Sequence, residues 1–192
     1  MSTAKILVMP GSLRTGSHNA RLAALAAKEL ALLDAEVTRI SLEDYELPLF
    51  DADVAGSGPP LAAVKLKQAL LAHRGIFITS PEYSASVTPL LKNAIDWVSR
   101  VRERGEPTYA AFKNRIFALG SATSGGGGGI RSLMALRQIL ELGCGALVIP
   151  EQVSVPRAEF AFDDNDNLKD EALAETLRVA MRRLVELAGM MN

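Results

Sequence analysis

Short apolar runs alternate with stretches of helical periodicity along most of this chain. Five runs have the length and residue types of strands, and apolar residues at helical spacing follow each one directly or after a loop. The predicted strands are residues 5–9, 36–40, 75–79, 115–119 and 146–149. Alternation of this kind builds βαβ units, and therefore a parallel sheet that is covered by helices on both faces.

The number of strands and their composition narrow the fold class. Residues 76–78 and 116–119 are almost continuously apolar, as expected for strands buried on both faces. We predict a flavodoxin-like α/β fold, a three-layer sandwich with a five-stranded parallel sheet in the order 2-1-3-4-5. Ligands of such sheets bind beyond the carboxyl ends of the strands, where the strand order reverses. Residues 11–19, 80–88 and 120–129 are therefore expected to converge there.

The first of these loops joins the first strand to a helix predicted over residues 20–33. A loop that opens onto a helix presents unpaired N–H groups and the positive end of the helix dipole, which favours an anion. Its polar residues suit a terminal phosphate better than a carboxylate; they are Ser12, Arg14, Thr15, Ser17 and Asn19. The alternative is that Ser17 or Asn19 only caps the helix and that Arg14 lies in solvent.

Neither common phosphate-binding pattern for nucleotides is present in this loop. No Lys-Ser or Lys-Thr pair closes it, as a Walker loop requires, and Gly11 and Gly16 lack the spacing of Gly-x-Gly-x-x-Gly. We therefore predict a phosphate-bearing cofactor of another kind.

The second loop follows the third predicted strand and begins with Pro81-Glu82-Tyr83-Ser84. Thr88 is suited to cap the following helix, and Pro89 suits its first position. A rigid proline, an aromatic ring and several backbone donors fit the face and edge of a flat heteroaromatic ring. Turn formation and core packing would use the same residues.

Composition excludes several classes of function. A chain of 192 residues that is 48% hydrophobic can form one domain, residues 1–192, and its net charge of -1 gives no footprint for nucleic acid or an anionic membrane. No run of 18 apolar residues and no signal-peptide pattern occurs, so we expect a cytoplasmic protein without membrane insertion. Cys144 is the single cysteine, and two histidines make neither a disulfide framework nor a metal cluster.

Three connecting stretches are expected to carry no site. Residues 51–60, rich in glycine and proline, are predicted to form a surface loop. In the helix predicted over residues 61–71 and just after it, Lys65, Lys67 and His73 are interpreted as a solvated face. Residues 163–170 lack the glycine and glutamate of a calcium loop, so we predict a polar turn before the last helix.

Three motifs together resemble the NAD(P)H-dependent FMN reductase family, in the flavodoxin-like group that includes quinone, azo-dye and chromate reductases. They are Gly11-Ser12-x-Arg14-x-x-Ser17-x-Asn19, then Pro81-Glu82-Tyr83 followed by Leu91-Lys92-Asn93-Ala94-Ile95-Asp96-Trp97, and the glycine-rich stretch from Ser121 to Gly129. The resemblance extends from residue 5 to about residue 155. This chain departs from the family at Ser84, where Asn is common, and at Ala85, where Gly is usual.

The resemblance implies FMN that is bound without a covalent link. It implies these contacts: Ser12, Arg14, Ser17, Asn19 and the backbone at His18 with the phosphate, Pro81, Glu82, Tyr83 and Ser84 with the isoalloxazine ring, and Ser121, Ser124 and Gly125 with its other edge. NADPH or NADH would reduce the flavin, and a small-molecule acceptor such as a quinone, free flavin, azo compound or metal oxyanion would reoxidise it. Because the cofactor supplies the chemistry, we predict no catalytic side chain and no metal.

The glycine-rich stretch permits two other interpretations. Strand, glycines and helix, with Glu151 about 20 residues further on, superficially copy a dinucleotide-binding fingerprint, but in the fourth βα unit rather than the first. Residues 122–126 look like a loosened nucleophile elbow, yet no histidine follows His73. We prefer a flexible cover over a flat ring, open enough to admit a second planar molecule.

Two functions remain compatible with these motifs, an enzyme and an FMN-binding electron carrier without turnover of its own. Small carriers of this fold tend to be strongly acidic, whereas this chain is nearly neutral, which favours the enzyme. The resemblance also implies a homodimer or homotetramer. The helix predicted over residues 89–102 has two apolar stripes. One stripe would cover the sheet and leave the other as a candidate interface, and the alternative is a helix that is deeply buried. The first stripe contains Leu91, Ile95 and Val98, and the second contains Leu90, Ala94, Trp97 and Val101.

Overall fold

The computed structural model describes residues 3–191 and has the alternating order of strands and helices that the pattern predicts. The strands are β1 (Lys5–Pro10), β2 (Glu36–Arg39), β3 (Gly75–Thr79), β4 (Ile116–Ala122) and β5 (Leu147–Val155). The α-helices are α1 (His18–Ala31), α2 (Ala52–Gly56), α3 (Leu61–Leu71), α4 (Pro89–Arg100), α5 (Ile130–Gln138), α6 (Ala158–Ala161) and α7 (Glu171–Met190). A short 3-10 helix covers Leu42–Asp44, and a π-helical turn covers Ile139–Gly143.

All strand pairs of the sheet are parallel, and the strand order is β2-β1-β3-β4-β5. This confirms the predicted flavodoxin-like fold. Successive residues of a strand point to opposite faces: Ile6 and Val8 join a core with helices α1 and α7, whereas Leu7 and Met9 join a core with helices α3, α4 and α5. The two cores bury both faces of the central strands.

Two strands extend further than predicted. β4 continues to Ala122 and β5 to Val155, because polar and small residues near their ends interrupt the apolar pattern without interrupting the ladder. Gly120 lies inside β4, where a Cβ atom would stand 2.8 Å from the ring of Phe77. The extension moves Ser121 from the predicted loop into a strand, which matters for the site.

Two of the stretches that were expected to be featureless are ordered differently. Residues 52–56 form helix α2 rather than a loop, because the side chain of Asp51 accepts a hydrogen bond from the N–H of Asp53 at 2.8 Å and caps it. Lys67 is buried and pairs with Glu106, and the ring of buried His73 lies 2.6 Å from the carbonyl of Ala69. The solvated-face interpretation is therefore wrong for Lys67 and His73.

The second apolar stripe of helix α4 is buried within the chain. Trp97 is completely buried, and its indole N–H donates to the carbonyl of Pro48 at 2.7 Å. The ring of Phe50 meets it edge-on, with 5.1 Å between ring centres, and Ala63 of α3 lies in the same cluster. Of the two alternatives for this stripe, the structure supports burial rather than an interface.

The acidic stretch before the last helix forms the predicted polar turn. Asp163 accepts hydrogen bonds from the N–H groups of Asn165 and Asn167 at 2.9 and 2.8 Å, and Asp170 caps α7. Across residues 3–191, no helix has both the length and the apolarity that crossing a membrane requires.

Candidate functional site

A cleft of about 280 Å³ opens at the carboxyl ends of β1, β3 and β4. It lies where the strand order reverses, because the chain leaves β1 toward β2 on one side of the sheet and leaves β3 toward β4 on the other. Three loops line it, with Ser12, Arg14, Ser17, His18 and Asn19 from the first, Pro81, Glu82 and Tyr83 from the second, and Ala122, Thr123, Ser124 and Gly125 from the third. Ten of the twelve residues predicted for the site thus lie around one cleft.

The start of the first loop is fixed to neighbouring elements. The N–H of Gly11 donates to the carbonyl of Thr79 at 2.6 Å, and its carbonyl accepts from the hydroxyl of Thr88 at 2.8 Å. A Cβ at this position would lie 3.0 Å from that Thr79 oxygen and 3.1 Å from Leu91. A side chain here would press on β3 and α4, which favours glycine, and Thr88 caps α4 as predicted.

Asn19 holds the first loop to β4. Its side-chain amide donates to the carbonyl of Ala122 at 2.7 Å and accepts from the N–H of the same residue at 3.1 Å. The last backbone bond between this segment and β4 runs from the N–H of Ser80 to the carbonyl of Gly120. Beyond it, the Asn19 amide takes the place of a strand and pairs with the backbone of β4. This buried side chain fixes the loop. The sequence analysis counted its amide among the groups that bind phosphate, but in the structure the amide is bonded to Ala122.

The other polar groups of the first loop are oriented around the helix start. Ser17 caps α1, its hydroxyl oxygen accepting from the N–H of Ala20 at 3.3 Å, so its own proton stays available to a ligand. Ser12 lies alongside, and Arg14 is exposed and makes no ion pair with a described residue. Helix capping and anion binding, proposed as alternatives, are compatible here.

His18 adds a polar group of a different kind. Its Nδ1 atom is buried and has no hydrogen-bond partner among the described residues. Burial and the nearby charges of Arg14 and Arg21 lower the pKa of this imidazole, which favours its neutral form. Buried polar atoms without partners are uncommon, and a ligand is one way in which they are satisfied.

The second loop turns sharply after Tyr83. Tyr83 and Ser86 exchange backbone hydrogen bonds of 3.0 and 2.9 Å, while Ser84 and Ala85 both have positive φ angles, 48° and 61°. This is the geometry of a type I′ turn, which favours Asn-Gly at its two central positions. The turn directs Ser84 outward, where it is exposed. The expected contact from Ser84 is therefore not supported, because the turn carries it off the cleft.

Ser121 is the other predicted residue that does not line the cleft. It lies in β4, is completely buried, and its hydroxyl has no partner among the described residues. A Cβ at Gly129 would come within 1.8 Å of that hydroxyl, so Ser121 lies beneath the glycine-rich loop. The cleft is reached instead by Ala122 and Thr123, at the end of β4 and just after it, which the sequence interpretation did not include.

The last two glycines of the glycine-rich loop are closely packed, and the three before them are not. Gly128 and Gly129 have positive φ angles of 59° and 81° and pack against Ser154 and Ser121, whereas a Cβ at Gly125, Gly126 or Gly127 would meet nothing within 4 Å. This difference leaves the central glycines open to a ligand and makes the last two structural.

The start of helix α5 is already occupied by a carboxylate from the second loop. Glu82 accepts a hydrogen bond from the N–H of Arg131 at 3.1 Å and one from its Nε at 2.7 Å. These bonds and the guanidinium charge hold the pKa of Glu82 below its usual range. Because the anion position at this helix start is filled, the geometry disfavours the dinucleotide-fingerprint interpretation.

The fold and the cleft define a class of protein. A parallel sheet in the order 2-1-3-4-5, with a phosphate-compatible helix start at its β1/β3 switch point and a slot between two further loops, is typical of flavodoxin-like mononucleotide-binding proteins.

Comparison with known proteins narrows this class to a family. The sequence model of the NADPH-dependent FMN reductase family matches residues 4–160. An NAD(P)H-dependent FMN reductase of Pseudomonas aeruginosa is 33% identical over 182 residues, 94% of this chain and 92% of that protein. A quinone reductase of Escherichia coli strain K12 is 36% identical over 141 residues, 71% of this chain and 69% of that protein.

A solved structure agrees with these sequence matches. FerB, a flavoenzyme NAD(P)H:(acceptor) oxidoreductase from Paracoccus denitrificans, superposes with a TM-score of 0.78 at 25% identity, covering 98% of this chain and 99% of that one. The chain therefore belongs to the NADPH-dependent FMN reductase family. It is an FMN-dependent oxidoreductase that uses NAD(P)H, as the three motifs predicted.

Proposed function

We propose that the cleft at the β1/β3 switch point binds FMN, with the phosphate in the first loop and the ring between the second and third loops. The observation that carries this proposal is the convergence of one cation, two hydroxyls and the open N–H groups of a helix start. These groups belong to Ser12, Arg14, Ser17 and the backbone at His18 and Asn19. The side-chain amide of Asn19 supports them by fixing the loop.

The ring would lie beside Tyr83 and under the open glycines. Tyr83 is 49% exposed at the cleft, and no side chain extends from Gly125 into the space in front of it. When bound, FMN supplies the redox chemistry, taking a hydride from NADPH or NADH and passing electrons to an acceptor. The chain's own residues bind and orient the flavin and leave one of its faces open to both reactants in turn.

We propose a quinone or a free flavin as the electron acceptor. Relatives that match most of this chain carry the names FMN reductase and quinone reductase. The open central glycines would accept flat acceptors of different outlines, because no Cβ atom selects among them. Azo compounds and metal oxyanions belong in the same panel of test substrates.

The test starts from purified protein and free FMN. We expect yellow absorbance to remain with the protein after gel filtration, and steady-state oxidation of NADPH or NADH with a quinone and no partner protein. Turnover without a partner would also exclude the electron-carrier alternative. Protein that neither retains FMN nor oxidises either nucleotide would overturn the proposal.

Arg14→Ala tests the phosphate assignment. We expect about a tenfold to hundredfold rise in the Kd for FMN, since hydrogen bonds to charged groups contribute roughly 1.5–3 kcal/mol. Riboflavin, which lacks the phosphate, should bind the variant and the wild type equally. Arg183→Ala is the matched control, because Arg183 pairs with Glu186 on helix α7 and does not line the cleft. Equal losses for FMN and riboflavin in Arg14→Ala would contradict the assignment.

We also propose that the protein forms a homodimer or homotetramer. With the second stripe of α4 buried inside the chain, the interface must use other residues. Leu49 and Leu61 support this proposal, because they are large apolar side chains that are 84% and 68% exposed. Light scattering should give a mass of two or four chains, and a particle of only 20.5 kDa would contradict it.

The proposed location of this reaction is the cytoplasm. A lone, buried cysteine, Cys144, with no disulfide partner is typical of a reducing compartment. Fractionation of cells that express a tagged chain would test this location directly.

A further inference from the structure

Glu82 belongs to the second loop, yet its carboxylate serves the helix that follows the third. One oxygen accepts from Arg131 Nε at 2.7 Å, and the other accepts from the N–H of Arg131 at 3.1 Å. The side chain of Glu82 is only 11% exposed, whereas that of Arg131 is 67% exposed. The carboxylate is therefore largely shielded from solvent, whereas the guanidinium is not. Through its bond to the N–H of Arg131, Glu82 caps the N-terminus of α5, although it belongs to another segment.

Ser132 makes a second connection between the same two segments. Its buried hydroxyl lies 3.0 Å from the hydroxyl of Ser80 and 3.1 Å from the carbonyl of Pro81. Successive residues at the start of α5 are thus joined to successive residues of the second loop. The relative position of the two segments is set by buried and nearly buried hydrogen bonds.

These contacts fix one end of the glycine-rich loop. The other end is fixed by the amide of Asn19, which holds Ala122. Between the two ends, a Cβ at Gly125, Gly126 or Gly127 would meet nothing within 4 Å. Their backbone is held by hydrogen bonds, since the carbonyl of Gly125 accepts from the N–H of Arg157 at 3.2 Å and that of Gly127 accepts from the hydroxyl of Ser154 at 3.4 Å. The loop runs directly into the start of α5, so the bonds of Arg131 and Ser132 to the second loop also bear on how far it stands from Tyr83.

We propose that Glu82 is a positioning residue for the flavin ring: by capping helix α5 across the cleft it sets the width of the slot between Tyr83 and the glycine-rich loop. This proposal rests on the proposed FMN site and extends it, because it assigns the Glu82 side chain to the protein rather than to the cofactor. It separates two functions within the site, a phosphate grip in the first loop and a ring slot set by Glu82.

The test compares Glu82→Ala and Glu82→Gln with the wild type by two independent measurements. The first is hydrogen exchange of the protein without flavin, in which residues 125–133 should exchange about tenfold faster in Glu82→Ala, as expected for the loss of a hydrogen bond to a charged group. The second is flavin affinity, in which the Kd for riboflavin and the Kd for FMN should rise by the same factor, about tenfold. The Kd for inorganic phosphate should not change.

Conservative and matched variants sharpen the test. Glu82→Gln keeps one acceptor oxygen, so its affinity losses should be smaller, about threefold. Glu171→Ala is the control, since Glu171 also pairs with an arginine, Arg178, but on helix α7 and at 84% exposure. It should change neither the exchange of residues 125–133 nor flavin affinity. If Glu82→Ala does not fold, as judged by thermal melting, Glu82→Gln carries the comparison.

Each combination of results decides a different question. Faster exchange with unchanged riboflavin affinity would mean that Glu82 only stabilises α5, and would overturn the proposal. A loss confined to FMN would assign Glu82 to the phosphate and overturn it as well. A wild type that binds neither flavin would refute the FMN site itself, and the positioning of the ring with it, while the exchange data would still report whether Glu82 restrains the loop.

Discussion

The first loop and the glycine-rich loop face each other across one cleft, but they are built in opposite ways. The first loop is held through Gly11 and Asn19 by buried hydrogen bonds to β3, β4 and the start of α4. The glycine-rich loop has three central residues without packing neighbours. The contrast fits the two tasks proposed for them, since a phosphate needs donors at fixed positions and a flat ring with changing partners needs room.

Substitutions in the two loops should therefore have very different consequences. In the first loop, a change removes contacts that hold several elements together. In the glycine-rich loop, the effect should depend on position, with large losses at Gly128 and Gly129 and almost none at the three glycines before them.

Asn19→Ala should be the most damaging change. It leaves the N–H and the carbonyl of Ala122 without their partners in a buried position, at roughly 1–3 kcal/mol for each group, or about 4 kcal/mol in total. Urea denaturation followed by circular dichroism would measure the loss. Asn165→Ala is the control, because this exposed side chain lies in the polar turn and should cost less than about 0.5 kcal/mol. Similar losses for both would refute the role of Asn19.

Gly129→Ala should destabilise the protein by about 3 kcal/mol, the sum of a left-handed backbone penalty and the overlap of the new Cβ with Ser121. The double variant Gly129→Ala with Ser121→Ala should recover the part that comes from the hydroxyl. Thermal and urea unfolding of the single and double variants would separate the two terms. No recovery in the double variant would mean that the backbone angle and the remaining contact with the Cβ of residue 121, 2.7 Å away, set the cost.

Ala85→Gly should stabilise the protein, by about 1 kcal/mol. The type I′ turn of the second loop places Ala85 at a φ of 61°. Glycine has no Cβ and so avoids the steric penalty that alanine has at this angle. Urea denaturation should give a higher midpoint with an unchanged slope. A lower midpoint would show that the backbone freedom of glycine in the unfolded chain outweighs the relief of strain.

Gly126→Ala should have the smallest effect, a gain of about 0.5 kcal/mol. A Cβ there meets nothing within 4 Å, and the residue is not among those with positive φ, so alanine mainly restricts the unfolded chain. It is the direct counterpart of Gly129→Ala, three positions away in the same loop. A loss above about 1 kcal/mol would show that a side chain at this position does meet a neighbour.

Much of the fold was predictable because it rests on patterns that are local in the chain. The alternation of strand and helix, the cap at Thr88 with Pro89 after it, and the polar turn at residues 163–170 were all predicted and are present. The errors occur where packing overrides local pattern. Lys67 carries a charge yet is buried against Glu106, and Trp97 looks available for a partner but is covered by Pro48 and Phe50.

The site divides along the same line. The residue types and their order in the three loops were sufficient to predict which loops converge and which family the chain belongs to, because parallel strands bring their carboxyl ends to one edge. The sequence alone thus determined the architecture, the family and most of the residues around the cleft.

Only the tertiary structure decided what individual side chains do there. Asn19 fixes the ladder of β4, Glu82 caps a helix across the cleft, and Ser121 lies beneath Gly129 rather than beside the cleft. None of these pairings has a signature in the sequence, since the partners are 103 and 49 residues apart in the first two cases. A difference of a few tenths of an ångström in the donor–acceptor distance decides whether a hydrogen bond forms, and only the packed molecule defines that distance.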